Sequence, residues 1–83
     1  MSNNIYPNPA AGKVNIKLDL EEPGKLQLTV IDLLGSTLIR EEFELACGSN
    51  VRELNIANLS KGIYIIRLSY DGTVINHKLI VDK

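Results

Sequence analysis

From Lys13 to Leu20 polar and apolar residues alternate without a break: Lys-Val-Asn-Ile-Lys-Leu-Asp-Leu. Successive side chains of an extended chain point to opposite faces. The pattern therefore puts Val14, Ile16, Leu18 and Leu20 on one side and four polar residues on the other. On a helix the same apolar residues would spread around the circumference, so the segment is a half-buried strand. Glu22-Pro23-Gly24 ends it with turn-forming residues.

The period of two recurs along the chain. Lys25 to Val30 alternates again and continues into Ile31. Asp32-Leu33-Leu34-Gly35 carries Asp at the first and Gly at the last position of a type I turn, which predicts a return strand from about Thr37 to Leu45. Cys47-Gly48-Ser49-Asn50 reads as a loop before a strand around Val51 to Ile56. Residues 57–62 connect to Ile63–Tyr70, the most apolar strand, expected near the centre of a sheet. Asp71-Gly72 predicts a tight hairpin, since both central residues of a type I′ turn need φ > 0, and Val74 to Val81 is the last strand. No long window shows a capped helical period. Strands at this spacing predict an all-β fold, an immunoglobulin-like antiparallel β-sandwich of about seven strands.

A chain of 83 residues holds one domain, and 45% apolar residues supply one core. The single cysteine, Cys47, forms no internal disulfide, so packing alone must hold the fold. Net charge is −1, and no two of the three Arg and six Lys are adjacent. A nucleic-acid partner is excluded on that ground, because phosphate neutralisation needs a clustered basic face. No apolar run approaches the roughly 20 residues of a membrane-spanning helix. Met1-Ser2-Asn3-Asn4 lacks the basic and apolar regions of a signal peptide. Residues 1–5 read as a linker or added start ahead of a domain over 6–83, the whole being a piece of a longer protein.

Convergent catalytic groups are missing. His77 is the only histidine and reads as a surface strand residue; with Cys47 thirty residues away it makes neither a metal site nor a nucleophile–base pair. Glu21-Glu22 and Glu41-Glu42 are strand neighbours that face opposite ways. No Gly-rich phosphate loop is present. The expectation is a non-enzyme with no cofactor and no metal. Tyr6 alone is a poor aromatic platform for sugars.

Three ordered pieces carry a family resemblance: Ile5-Tyr6-Pro7-Asn8-Pro9-Ala10, Val30-Ile31-Asp32-Leu33-Leu34-Gly35, and Leu59-Ser60-Lys61-Gly62-Ile63-Tyr64 followed by Lys78-Leu79-Ile80-Val81-Asp82-Lys83. Together they resemble the C-terminal sorting domain of the bacterial type IX secretion system, from Tyr6 to Lys83. Ser36 departs from the pattern, where the family often has a basic residue, and a cysteine in the middle loop is atypical.

Most motif residues also have structural explanations. Pro7 and Pro9, flanking Asn8, suit an edge segment that must not recruit a neighbouring strand. Asp32 and Gly35 fit the turn. Leu59, Gly62 and Tyr64 resemble a tyrosine corner, in which the phenol bonds backbone a few residues upstream. Tyr70 reads as a cross-strand contact. Lys78 and Lys83, at the ends of the last strand, either blunt an edge or belong to the export signal.

The resemblance implies a secreted or cell-surface protein that passes through the periplasm. Its partners would be an N-terminal cargo domain, an outer-membrane translocon with its shuttle, and a sortase-like peptidase that removes the domain after translocation. It also implies translocon recognition through Gly62, Tyr64, Lys78, Val81 and Lys83. Two further expectations are a homodimer through a strand edge or Cys47 and, as the rival to sorting, an immunoglobulin-like spacer or binding module of a secreted multidomain protein.

Overall fold

The computed structural model describes residues 2–83. Seven strands follow one another: β1 (Ser2–Tyr6), β2 (Lys13–Leu20), β3 (Gly24–Asp32), β4 (Thr37–Leu45), β5 (Gly48–Asn55), β6 (Gly62–Tyr70) and β7 (Thr73–Val81). They form two antiparallel sheets, ordered β1-β2-β5 and β4-β3-β6-β7. The chain crosses between sheets at Glu21–Pro23, at Ala46–Cys47 and over residues 56–61, which gives the Greek-key connectivity of an immunoglobulin-like sandwich.

Period-two patterning builds the core as expected. Val14, Ile16, Leu18 and Leu20 of β2 meet Leu26, Leu28 and Val30 of β3 and Tyr64, Ile66 and Leu68 of β6, all buried. Burying such a side chain is worth about 1.5–3 kcal/mol, which is how a chain this small dispenses with disulfide staples. The most apolar strand, β6, is internal to its sheet. Both predicted turns form. Asp71 and Gly72 have φ of 48° and 79°. Asp32 closes its turn through its own carbonyl to the Gly35 amide (3.1 Å) and through its carboxylate to the amides of Leu34 and Ser36 (2.9 Å each). Ser36 enters the turn through its backbone amide and carbonyl, so the turn itself does not require a particular side chain there.

Three expectations change. Residues 2–5, read as a linker, belong to strand β1: Ser2–Tyr6 pairs with Tyr6↔Asn15 through Ser2↔Asp19 and buries Ile5. One apolar residue among asparagines leaves no periodic signal, and the backbone ladder with β2 decides. Met1 lies outside the described residues. Gly48-Ser49-Asn50, read as loop, already belongs to β5, because Leu20↔Gly48 extends the β2–β5 register to its end. Gly48 enters with φ 94°, and the Asn50 amide side chain donates to the Ala46 carbonyl (2.8 Å), so turn chemistry and strand coexist. His77, read as a surface residue, faces inward at the seam between the sheets, where its Nε2 pairs with Asn3 Oδ1 of β1.

The opposite seam, between β4 and β5, is closed by the Arg52 guanidinium lying 5.3 Å from the centroid of the Phe43 ring. Strand β4 guards its free edge with Glu41, opposite buried Leu28 and thus on the core-facing side yet exposed. An inward charge of this kind discourages edge-to-edge association.

Candidate functional site

One end of the four-stranded sheet collects the third motif, the chain's last residues and the central turn. Here β6 begins, β7 ends, and β3 runs into the Asp32–Gly35 turn. The register sets Ile63 opposite Ile80, and Ile65 between Ile31 and Lys78.

The tyrosine corner holds this end. Tyr64 is buried against the core, and its phenol donates to the Ser60 carbonyl four residues upstream at 2.6 Å. Leu59 anchors the same connector in the core, its amide bonded to the Ile56 carbonyl (3.0 Å). Lys83 reaches back across the connector, its Nζ donating to the carbonyls of Ala57 (2.5 Å) and Ile56 (3.4 Å). Lys61 and Asp82 form an exposed ion pair at 3.6 Å.

The five residues singled out for recognition thus separate. Tyr64 and Val81 point into the core, so their side chains are unreadable from outside the folded domain. Lys83 is occupied by backbone carbonyls. Lys78 is exposed, and no carboxylate pairs with it among the described residues. Gly62 has no folding reason to be glycine: an added Cβ would come no closer than 3.9 Å to Tyr64 or 4.0 Å to the Ser60 carbonyl, and its φ is ordinary.

What the sequence reading missed is the outward surface of this end. A sheet's solvent face is normally polar, and most of this one is, with Lys25, Gln27, Thr29, Arg40, Glu42, Arg67 and Asn76. Ile31, Ile63, Ile65 and Ile80 interrupt it together, next to exposed Leu38. Beyond them the turn displays Leu33, 68% exposed, and Leu34, 93% exposed, held rigidly by the Asp32 carboxylate and by Gly35 at φ 92°. A signal was available in Ile63-Tyr64-Ile65-Ile66, apolar at both parities and hence apolar on both faces of the strand.

The first motif meets the last strand. Strand β7 is a sheet edge, but the Asn8 carboxamide donates to the Lys78 carbonyl (2.8 Å) and accepts from the Ile80 amide (3.0 Å). Ala10 follows as a parallel bridge to Val81, its amide on the Ile80 carbonyl and its carbonyl taking the Asp82 amide, both at 2.9 Å. Pro7 and Pro9, on either side of Asn8, offer no N–H to a further strand.

Elsewhere an open acidic cleft of about 370 Å³ is lined by Glu21, Glu22, Tyr70, Asp71, Thr73 and Ile75 at the other end of the sheet. Desolvation, then the charges of Asp71, Glu22 and Glu21, raise the Tyr70 phenol above its usual range. No cluster of three metal-ligating side chains occurs among the described residues. Cys47, between β4 and β5, and His77, on β7, lie at opposite edges of the sandwich and form no pair.

A search of curated proteins finds no match to the chain. Residues 4–82, nearly the whole of it, match the family model described as the secretion system C-terminal sorting domain. That family is non-catalytic in general, marks proteins for passage across the outer membrane to the cell surface or beyond, and works through the type IX machinery on an attached cargo. With the motif residues gathered at one end of a seven-stranded sandwich and the match spanning that sandwich, the chain belongs to the family of type IX secretion C-terminal sorting domains.

Proposed function

We propose that the type IX machinery reads this domain at the outward corner formed by Ile63, Ile65 and Ile80, with Ile31 beside them and Lys78 as the flanking charge. The observation that carries this reading is an apolar cluster on a sheet face that folding requires to be merely soluble. Gly62 fits the same role, since glycine at the start of β6 lets a partner's backbone approach closely. Tyr64, Val81 and Lys83 then act indirectly, by holding the corner in shape.

The domain itself performs no chemistry on this reading. A shuttle delivers it folded to the outer-membrane translocon, and a sortase-like peptidase cuts near its N-terminal boundary once the cargo has crossed. Cys47 is exposed, so an external two-electron oxidant that takes up both thiol hydrogens would join two domains through a Cys47–Cys47 disulfide outside the reading surface.

The test is a fusion of residues 2–83 to the C-terminus of a periplasm-targeted fluorescent reporter in a bacterium with a working type IX system. The fusion is expected at the surface or in the medium, and the Ile63→Ser/Ile80→Ser variant, checked for an unchanged melting temperature, is expected to stay in the periplasm. Normal export of that variant overturns the choice of surface. Retention of the unsubstituted fusion, while a known sorting domain exports the same reporter, overturns sorting for this chain.

A further inference from the structure

We infer that residues 8–10 are a releasable strap on the edge of β7, and that this edge is a preformed acceptor for one extended peptide segment running parallel to β7. Every outward-facing backbone group of β7 from the Lys78 carbonyl to the Asp82 amide is taken by the strap: two by the Asn8 carboxamide and two by the Ala10 backbone. The carboxamide carries one donor and one acceptor, the complement of a peptide group, and so stands in for a residue of a neighbouring strand. Ala10 completes the imitation with a parallel bridge to Val81 and is itself 3% exposed, which fixes the occupant's chemistry there as a small residue.

The hold is narrow. Asn8 is exposed and acts through its side chain alone, while the prolines at 7 and 9 bring no donor. The neighbouring stretch, β1, is secured independently by its own ladder to β2 and by Ile5. Opening the strap therefore costs its four hydrogen bonds and the burial of Ala10, and it uncovers the row of donors and acceptors to which an extended peptide adds as a strand. None of this depends on which face the secretion machinery reads.

Amide hydrogen exchange on the whole chain tests the strap first. Asn8→Ala is expected to raise exchange at the Ile80 amide by about fivefold or more while leaving the β3–β6 amides unchanged. No change at Ile80, or a uniform rise across both sheets, overturns the strap as a separate unit. The acceptor is tested in the Asn8→Ala/Ala10→Asp variant, in which a charge is set against the buried position. A synthetic peptide of residues 6–12 is titrated into it to millimolar concentration. Saturable recovery of Ile80 and Asp82 protection is the expected result, and absence of recovery in a variant that keeps its β3–β6 protection overturns the acceptor. Should the double variant unfold, the same titration into Asn8→Ala, read at Ile80, decides by the same criterion.

Discussion

The ring of Tyr70 lies on the bare backbone of Gly24: a Cβ built on that glycine would sit 2.6 Å from Tyr70 Cε2. The same side chain carries its hydroxyl past the glycine to donate to the Glu22 carbonyl at 2.5 Å. Pro23-Gly24 is thus more than a turn. It is the floor on which the last residue of β6 clamps the crossing from β2 to β3. Gly24→Ala is expected to destabilise the domain by about 1–3 kcal/mol, the range for a methyl forced into an occupied site. Combined with Tyr70→Ala the loss should be clearly less than additive by urea melts, because the methyl then has room. Additive losses would mean that the clash lies elsewhere.

Tyr64→Phe keeps the buried ring and removes only the bond to the Ser60 carbonyl. A part-buried acceptor left without its partner costs about 1–3 kcal/mol, and Tyr64→Ala should cost about 3–5 kcal/mol through the lost packing. Chemical denaturation of the two variants separates the contributions. A Tyr64→Phe variant as stable as the parent would show that the corner bond is silent.

Period two made the sandwich legible because burial on a pleated strand selects alternate residues, and six of the seven strands announce themselves that way or by turn chemistry. Strand β1 does not, since a ladder to β2 needs only backbone and one buried isoleucine. The first residues of β5 do not, since Gly-Ser-Asn serves a turn and a strand end equally well. At the candidate site the fold gathers the motifs at one end of the sheet. They named residues for sorting that packing explains, because a one-dimensional motif does not say which way a side chain faces. Tyr64 and Val81 sit at inward parities, whereas Ile63 and Ile80, one residue away from each, face out. Asn8 was readable as a motif residue and unreadable as a partner of Ile80, seventy-two positions on.

Lys78 and Lys83 looked alike in the sequence and differ in the fold. Lys83→Ala removes two bonds to connector carbonyls and should lower stability by roughly 0.5–2 kcal/mol, the scale of exposed charge-assisted bonds. Lys78→Ala should leave the melting curve within about 0.5 kcal/mol of the parent, as expected for a surface change without a partner, while reducing export of the reporter. A Lys78→Ala variant that melts early but exports normally would reverse the two assignments.

His77 gives the domain an acid-sensitive seam. Burial holds its imidazole below the usual 6.5, because the charged form is poorly solvated between the sheets. A depressed folded pKa means that the unfolded chain takes up the proton more readily. The stability His77 supports is therefore fully present above about pH 6.5 and is lost as pH falls through the lower folded value. Its Nε2 pairs with Asn3 Oδ1, which accepts, so the neutral tautomer with hydrogen on Nε2 suits the seam. His77→Gln offers a donor at a similar reach without a titrating proton. Urea melts at pH 7.5 and 5.5 should show a smaller loss of stability on acidification for His77→Gln than for the parent. Protection factors of the β1 amides, corrected for intrinsic exchange at each pH, should fall with acid in the parent alone. Equal acid losses in both proteins would place the sensitivity on carboxylates rather than on this seam.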